Sequence, residues 1–125
     1  RVCLNWLFLS CRPRPTLDRI LYLYIFGSME KQIAVSALAA LAQETRLDVF
    51  RLLVRSGDEG LQAGRIAQVL NLAPATLSFH LKELRSAGLV LCQRDGRSRI
   101  YRPDFQAMGR LVSFLTESCC QGVPD

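Results

Sequence analysis

The stretch PATLSFHLKELRSAGLVLCQRDGRSRIYRP, residues 74–103, decides the fold. Its first half has the spacing of an amphipathic helix, because leucines three or four residues apart form one apolar stripe, namely Leu77, Leu81 and Leu84. Pro74 stands where the first turn of a helix tolerates proline, and Gly88 follows the last of these leucines. We therefore predict a helix that starts at Pro74 and ends before Gly88.

The second half of this stretch predicts a β-hairpin. Residues 89–94 and 97–101 are β-prone runs, and the Asp95-Gly96 pair between them is the strongest short hairpin signal that a sequence offers. Just upstream, residues 61–71, LQAGRIAQVLN, predict a shorter helix. Two short helices followed by a basic hairpin are typical of a winged helix-turn-helix, whose second helix enters the major groove of DNA. The predicted fold class is mainly α, with one two-stranded β-hairpin as the wing.

Three more helices are predicted outside this region. Their apolar positions recur at helical spacing in three groups: Ile33, Ala37, Leu38 and Leu41; Leu47, Phe50, Leu53 and Val54; and Phe105, Met108, Leu111, Val112 and Leu115. Thr45 is the candidate cap between the first two groups, and Asp104 is the candidate cap of the last helix.

Residues 1–28 are predicted to be an upstream-translated or non-native extension, and residues 29–125 to be the DNA-binding and sensing domain. The chain opens with Arg1, and residues 11–28, CRPRPTLDRILYLYIFGS, have neither the order of a signal peptide nor an amphipathic repeat. From Met29 onward, MEKQIAVSALAAL takes up helical spacing at once, as a natural start leading into a first helix would.

The charge and the cysteines limit the compartment and the partners. The net charge is +5, and residues 82–102 alone hold six basic against two acidic side chains, which favours a polyanionic partner at this place. Five cysteines are an odd number and do not suggest a secreted disulfide framework, so a reducing cytoplasm is expected. The longest apolar runs are far shorter than the roughly 20 residues that span a bilayer, and no membrane anchor is expected.

A DNA-reading surface follows from the helix predicted at Pro74. With its leucines turned inward, the residues left outside include Ala75, Thr76, Ser78, Phe79, His80 and Lys82. Thr76 and Ser78 can reach base edges or phosphates, and His80 and Lys82 are placed for the backbone or for bases. Arg94, Arg97 and Arg99 on the hairpin suit phosphates or the minor groove. Taken singly, each of these residues could be ordinary solvated surface, but helix order and local charge together favour DNA.

Three stretches carry a family resemblance. ALAQETRLDVFRLL, IAQVLNLAPATLSFHLKELRSAGLV and RDGRSRIYRP closely resemble the ArsR/SmtB family of metal-responsive repressors, over about residues 33–120. The resemblance implies a homodimer that joins through its first and last helices and binds an imperfect palindrome over its own promoter. It also implies that Thr76, Ser78 and His80 contact this double-stranded DNA operator.

The adjacent cysteines Cys119 and Cys120 are the candidate sensor. Thiolates select soft, thiophilic ions, and two neighbouring cysteines offer two of the three sulfurs that a pyramidal arsenic(III) centre takes. Two thiols with no further cysteine or histidine nearby make a poor zinc site, because tetrahedral structural zinc takes four protein ligands. The alternative is that the two thiols have no sensing role and simply lie in a frayed C-terminal tail.

The resemblance narrows the effector to a trivalent arsenical, with no constitutive cofactor. The family's Cys-x-Cys site on the third helix is replaced here by Gln62 and Gly64, and its zinc site on the last helix by Asp104, Gln106, Glu117 and Cys120. What remains resembles the subgroup that binds arsenic at the end of the last helix through a Cys-Cys pair and commonly a third cysteine. Either that third ligand lies beyond a truncated C-terminus, or the inducer is a methylated arsenic(III) that needs only two thiolates.

Other functions are left as alternatives. Cys119 and Cys120 could form a redox or electrophile sensor on the same DNA-binding fold, or the chain could be a metal-buffering protein. Cys92 is expected to be a small buried apolar residue. No enzyme is expected, because the sole histidine, His80, lies on the predicted DNA face without a carboxylate and nucleophile around it.

Overall fold

A computed structural model describes residues 29–123 of the chain. Within this range the elements are α1 (Lys31–Leu41), α2 (Glu44–Ser56), a 3₁₀ turn (Gly57–Glu59), β1 (Leu61–Gln62), α3 (Ala63–Leu70), α4 (Pro74–Ser86), β2 (Val90–Asp95), β3 (Ser98–Pro103) and α5 (Phe105–Leu115). The predicted mainly α class, with helices and a wing, is confirmed. The predicted extension at residues 1–28 lies outside the described residues.

The turn between α3 and α4 is built by local chemistry. Asn71 ends α3 in the left-handed conformation, with φ of 51°, and Leu72 donates its backbone N–H to the carbonyl of Ala67. Ala73 is extended, and Pro74 then occupies the first turn of α4, where its missing N–H costs no hydrogen bond. These three steps hold the two helices in a helix-turn-helix.

The wing contains one strand more than predicted. β2 and β3 pair antiparallel, with Asp95 opposite Ser98 across a two-residue turn, which confirms the hairpin and makes Gly96-Arg97 its central pair. β1 pairs antiparallel with the other edge of β3, where Leu61 lies opposite Tyr101. The predicted third helix therefore begins at Ala63, because its first two residues join the sheet instead. The expectation of a two-stranded hairpin is corrected to a three-stranded sheet in the order β1-β3-β2.

Side chains cap two of the helices. The side-chain carbonyl of Gln43 accepts from Arg46 N–H at 2.7 Å at the start of α2, so the prediction of Thr45 as the cap is wrong. Thr45 follows the first residue of this helix and lies inside its first turn. Asp104 Oδ1 accepts from Ala107 N–H at 3.0 Å, which confirms the predicted cap of α5.

One apolar core joins α2, α3, α4 and the sheet. Its most deeply buried side chains come from the three helices and from the residue before β2, namely Val49, Leu53, Ile66, Leu77, Leu81, Leu84 and Leu89, and Val90 and Tyr101 of the sheet are also buried. The fully buried residues of helix α1 are small, namely Ala34, Ala37 and Ala40, and Leu41 at its end packs partly buried against the core, while Ile33 and Leu38 are 50% and 41% exposed. The outer helix therefore lies close to the core and keeps most of its larger apolar side chains at the surface.

Candidate nucleic-acid interface and thiol pair

Helix α4 presents one buried and one exposed side. Leu77, Leu81 and Leu84 are at most 2% exposed, as their spacing predicts. Five of the predicted DNA-facing residues are exposed on the other side, namely Ala75, Thr76, Ser78, Phe79 and Lys82. The leucine stripe thus orients the helix, and it turns hydroxyl, aromatic and ammonium groups to the outside.

His80 does not lie on that exposed side. It is 8% exposed, and the prediction that it belongs to the outer face of the helix is wrong. The physical reason is helical periodicity, because position 80 is three residues after Leu77 and four before Leu84 and so shares their side. Its Nδ1 has no hydrogen-bond partner in the described part of the chain, and its ring meets Phe79 edge-on at 5.5 Å between centroids.

The wing carries three exposed arginines, as predicted. Arg94 and Arg99 are direct cross-strand partners on β2 and β3, and Arg97 lies in the turn between them. Within residues 29–123 none of the three forms an ion pair or a side-chain hydrogen bond. Like charges directly opposite each other weaken a β-ladder, so this arrangement costs stability unless an anion neutralises it.

A groove joins the recognition helix to the wing. The end of α4 and the start of β2 line an open cleft of about 470 Å³, with Lys82 and Arg85 on the helix side and Cys92 on the strand side. Arg85 is one of the six basic residues of 82–102 and was not among the predicted site residues. Its position three residues after Lys82 on the same helix was the available signal. The helix side of this cleft is therefore basic, and its strand side is mainly apolar.

The two C-terminal cysteines lie just beyond α5. The Sγ atoms of Cys119 and Cys120 are 3.2 Å apart, and both residues are exposed. Cys119 donates its backbone N–H to the carbonyl of Thr116, and the Thr116 hydroxyl donates to the carbonyl of Val112 at 2.8 Å. The thiol pair is thereby tied by hydrogen bonds to the last turn of α5.

Other candidate ligands do not converge. Cys92 is only half-buried: it packs against the core, as predicted, but it also lines the open cleft, so the prediction that it is buried holds in part. The Asp104 carboxylate caps α5. No group of three or more His, Cys, Asp or Glu side chains that could hold a metal ion occurs within residues 29–123. Over the same residues, no helix combines the length and the apolar character needed to cross a membrane.

Known sequences place this site in a family. The family described as "Helix-turn-helix domain" matches residues 41–93. The HTH-type transcriptional regulator YceK of Bacillus subtilis is 37% identical over 79 residues, covering 61% of this chain and 78% of that protein. The protein of Halobacterium salinarum named "Putative arsenical resistance operon repressor ArsR" is 34% identical over 70% of this chain and 67% of its own length. The transcriptional activator HlyU of Vibrio cholerae is 32% identical over 74% of this chain and 85% of its own.

Solved structures show the same architecture. An ArsR-like transcriptional regulator from Rhodococcus sp. RHA1 is 27% identical, with a TM-score of 0.61 over 67% of this chain and 76% of that one. A "Possible transcriptional regulator for arsenical resistance" is 32% identical, with a TM-score of 0.57 over 64% and 80%. A homodimeric winged helix-turn-helix DNA-binding domain from Mycobacterium bovis is 27% identical, with a TM-score of 0.55 over 80% and 86%.

These relatives are transcriptional regulators and not enzymes, which confirms the prediction that the chain has no catalytic function. The helix-turn-helix, the basic wing and the sequence similarity to these regulators all indicate the same family. The chain belongs to the ArsR family of winged helix-turn-helix transcriptional regulators.

Proposed function

We propose that this regulator is a homodimeric repressor that binds a DNA operator in the cytoplasm and releases it when a trivalent arsenical binds Cys119 and Cys120. The observation that carries the arsenic part is the 3.2 Å separation of the two thiols. The DNA part rests on the exposed side of α4 and on the unpaired arginines of the wing.

In the proposed complex, α4 lies in the major groove. Thr76 and Ser78 are near its N-terminus, where recognition helices contact base edges, and Lys82 follows one turn later. Ala75 and Phe79 share this surface, and Arg94, Arg97 and Arg99 contact phosphates or the adjacent minor groove. His80 is not part of the proposed contact set, because it is 8% exposed on the leucine side of α4.

The thiol pair fits a soft, pyramidal centre better than zinc. An atom bonded to both sulfurs at about 2.3 Å, a usual length for a zinc–thiolate bond, would make an S–X–S angle of roughly 90° across the 3.2 Å separation. Tetrahedral zinc prefers a wider angle and four protein ligands in a structural site. Soft thiolates favour a thiophilic centre. Arsenic(III), bound to two sulfurs and to a methyl group or a third ligand, is both thiophilic and compatible with the narrow S–X–S angle.

Dimerisation is proposed through α1 and α5. These two helices contact each other and carry exposed apolar side chains, Ile33, Val35 and Leu38 on α1 and Val112 and Leu115 on α5. The relative from Mycobacterium bovis is a homodimer of the same fold. Removing these side chains from water by pairing with a second copy would stabilise the dimer.

The same helix provides a route from sensor to DNA. Hydrogen bonds run from Cys119 through Thr116 to Val112, which is on the proposed dimer surface. Arsenic bonded to both sulfurs would replace their weak contact with a rigid bridge, fix this turn and so alter the last turn of α5. The two recognition helices must lie about one DNA turn apart, so a change of the dimer interface lowers operator affinity.

The direct test measures operator binding by fluorescence anisotropy, with and without arsenite, methylarsenite and zinc. With an arsenical, the operator affinity of the wild-type dimer is expected to fall roughly 5- to 150-fold, which corresponds to a coupling free energy of about 1–3 kcal/mol. Zinc is expected to leave the operator affinity unchanged. The double variant Cys119→Ser, Cys120→Ser should bind DNA like the wild type and show no response.

Cys92→Ser is the matched control, since it removes a thiol of the packed core and should leave the response intact. An arsenical response that persists in the double variant would contradict the sensor assignment. Release by peroxide without arsenic, with loss of two hydrogens by mass spectrometry, would identify the redox alternative. Arsenic binding without any operator affinity would identify a metal-buffering protein.

The dimer surface has its own test. Val112→Asp should convert the dimer to a monomer in analytical ultracentrifugation, because an unpaired carboxylate buried at the interface costs about 3 kcal/mol or more, over 100-fold in dissociation constant. Val69→Asp is the control, because Val69 on α3 is 47% exposed against 49% for Val112. A dimer that survives Val112→Asp, or that both substitutions dissociate equally, would rule out this interface.

A further inference from the structure

The outward side of α4 has an apolar centre. Ala75, Phe79, Lys82 and Ser86 follow one another at spacings of three and four residues, so they form a single line along the helix, and all four are exposed. Phe79 is the largest of them and is 56% exposed. It stands opposite the leucine stripe, where the rest of the surface is small, polar or cationic.

The Phe79 ring is only partly covered by the described part of the chain. It meets the His80 ring in a T-shaped contact, and more than half of the Phe79 residue stays exposed to solvent. The neighbours at positions 75 and 76 add a methyl group each, from Ala75 and Thr76. On the side of α4 that is proposed to face DNA, this phenyl group is placed to contact an apolar group of the partner.

The charge around Phe79 defines that partner. Lys82 lies three residues away on the same side and lines a cleft together with Arg85, and the wing adds three exposed arginines. A polyanion fits such a surface, and the apolar group that double-stranded DNA offers in its major groove is the C5-methyl of thymine. Alanine, threonine methyl and phenylalanine are the side chains that contact this methyl group.

We propose that Phe79, flanked by Ala75 and Thr76, recognises the C5-methyl group of a thymine in each half-site and so determines the base at that position. The inference rests on the proposed DNA binding and deepens it. Phe79 confers specificity by an apolar contact, whereas Lys82 adds affinity by charge and is indifferent to the base.

The test removes only the methyl group. The full chain first selects its preferred duplex from a random-sequence DNA pool, and each thymine of that duplex on both strands is then replaced singly by deoxyuridine. At one position in each half-site the wild-type affinity should fall about fourfold, and about 15-fold with both half-sites replaced, as expected for losing one buried methyl group each. Phe79→Ala should bind the thymine duplex more weakly and show no deoxyuridine effect at these positions.

Lys82→Ala is the matched control, because it should weaken binding to every duplex, lower the salt dependence and keep the full deoxyuridine effect. If the wild type selects a duplex but no thymine position is coupled to Phe79, the reading role is wrong and DNA binding stands. If the wild type selects no sequence at all, the proposed function and this inference fail together.

Discussion

Gly60→Ala is expected to destabilise the protein by about 2 to 5 kcal/mol, combining a left-handed backbone at a non-glycine residue with overpacking. Gly60 has φ of +70°, and a Cβ there would stand 2.5 Å from the carbonyl oxygen of Tyr101 and 2.9 Å from Cγ2 of Ile100. Both belong to β3, which pairs with β1 directly after this glycine. The substitution would push the two strands apart at the base of the wing.

Gly57→Ala is the matched control for that prediction. Gly57 has the same φ of +70° but nothing within 4 Å of its Cβ position, so it carries only the conformational cost, about 1–2 kcal/mol. Urea unfolding followed by circular dichroism measures both variants. A Gly60→Ala variant no less stable than Gly57→Ala would show that the strands tolerate the added methyl group and would refute the steric explanation.

The second large effect is expected at the wing. The double substitution Arg94→Ala, Arg99→Ala should lower operator affinity by about 100- to 1000-fold at physiological salt, because it removes four phosphate contacts from a dimer and with them the release of their counterions. The slope of log affinity against log salt should fall by about 3 to 4. Since these arginines are direct cross-strand partners and form no ion pair within residues 29–123, the stability of the variant should be equal or higher.

Arg51→Ala, Arg55→Ala removes the same charge from an exposed part of α2, outside the helix-turn-helix and the wing. This control should change the affinity and the salt slope much less. Equal losses in both double variants would mean that net charge, and not the wing, accounts for the binding. A wing variant that is strongly destabilised would mean that the arginines serve the fold.

Local chemistry made much of the fold predictable. Pro74, the leucine stripe that follows it and the Asp104 cap each act within a few residues, and each is found where the sequence predicts it. The same holds for the exposed positions of Thr76, Ser78 and Lys82, because the period of a helix places them opposite the leucines. Their contact with DNA remains a prediction.

Two predictions, for His80 and Thr45, were wrong because they relied on the polarity of the side chain and not on its position in the helix. A histidine in a basic helix suggested a surface position, yet the helical period assigns His80 to the side of Leu77 and Leu84. Thr45 looked like a cap because hydroxyl residues are common caps, but α2 begins earlier, and the side-chain carbonyl of Gln43 accepts from Arg46 N–H instead.

The sequence by itself determined the helices, the hairpin, the local excess of positive charge and the presence of two adjacent thiols, since each depends on residues close together in the chain. Only the tertiary structure decided that Leu61 and Gln62 become a third strand, because that pairing depends on β3, about forty residues away in the sequence. It also depends on Gly60, whose missing side chain lets the backbone of β3 approach closely. The tertiary structure also decided that α1 packs against the core through its alanines, while Ile33 and Leu38 remain exposed. Burial is a property of what packs alongside a helix, and no local pattern contains that information.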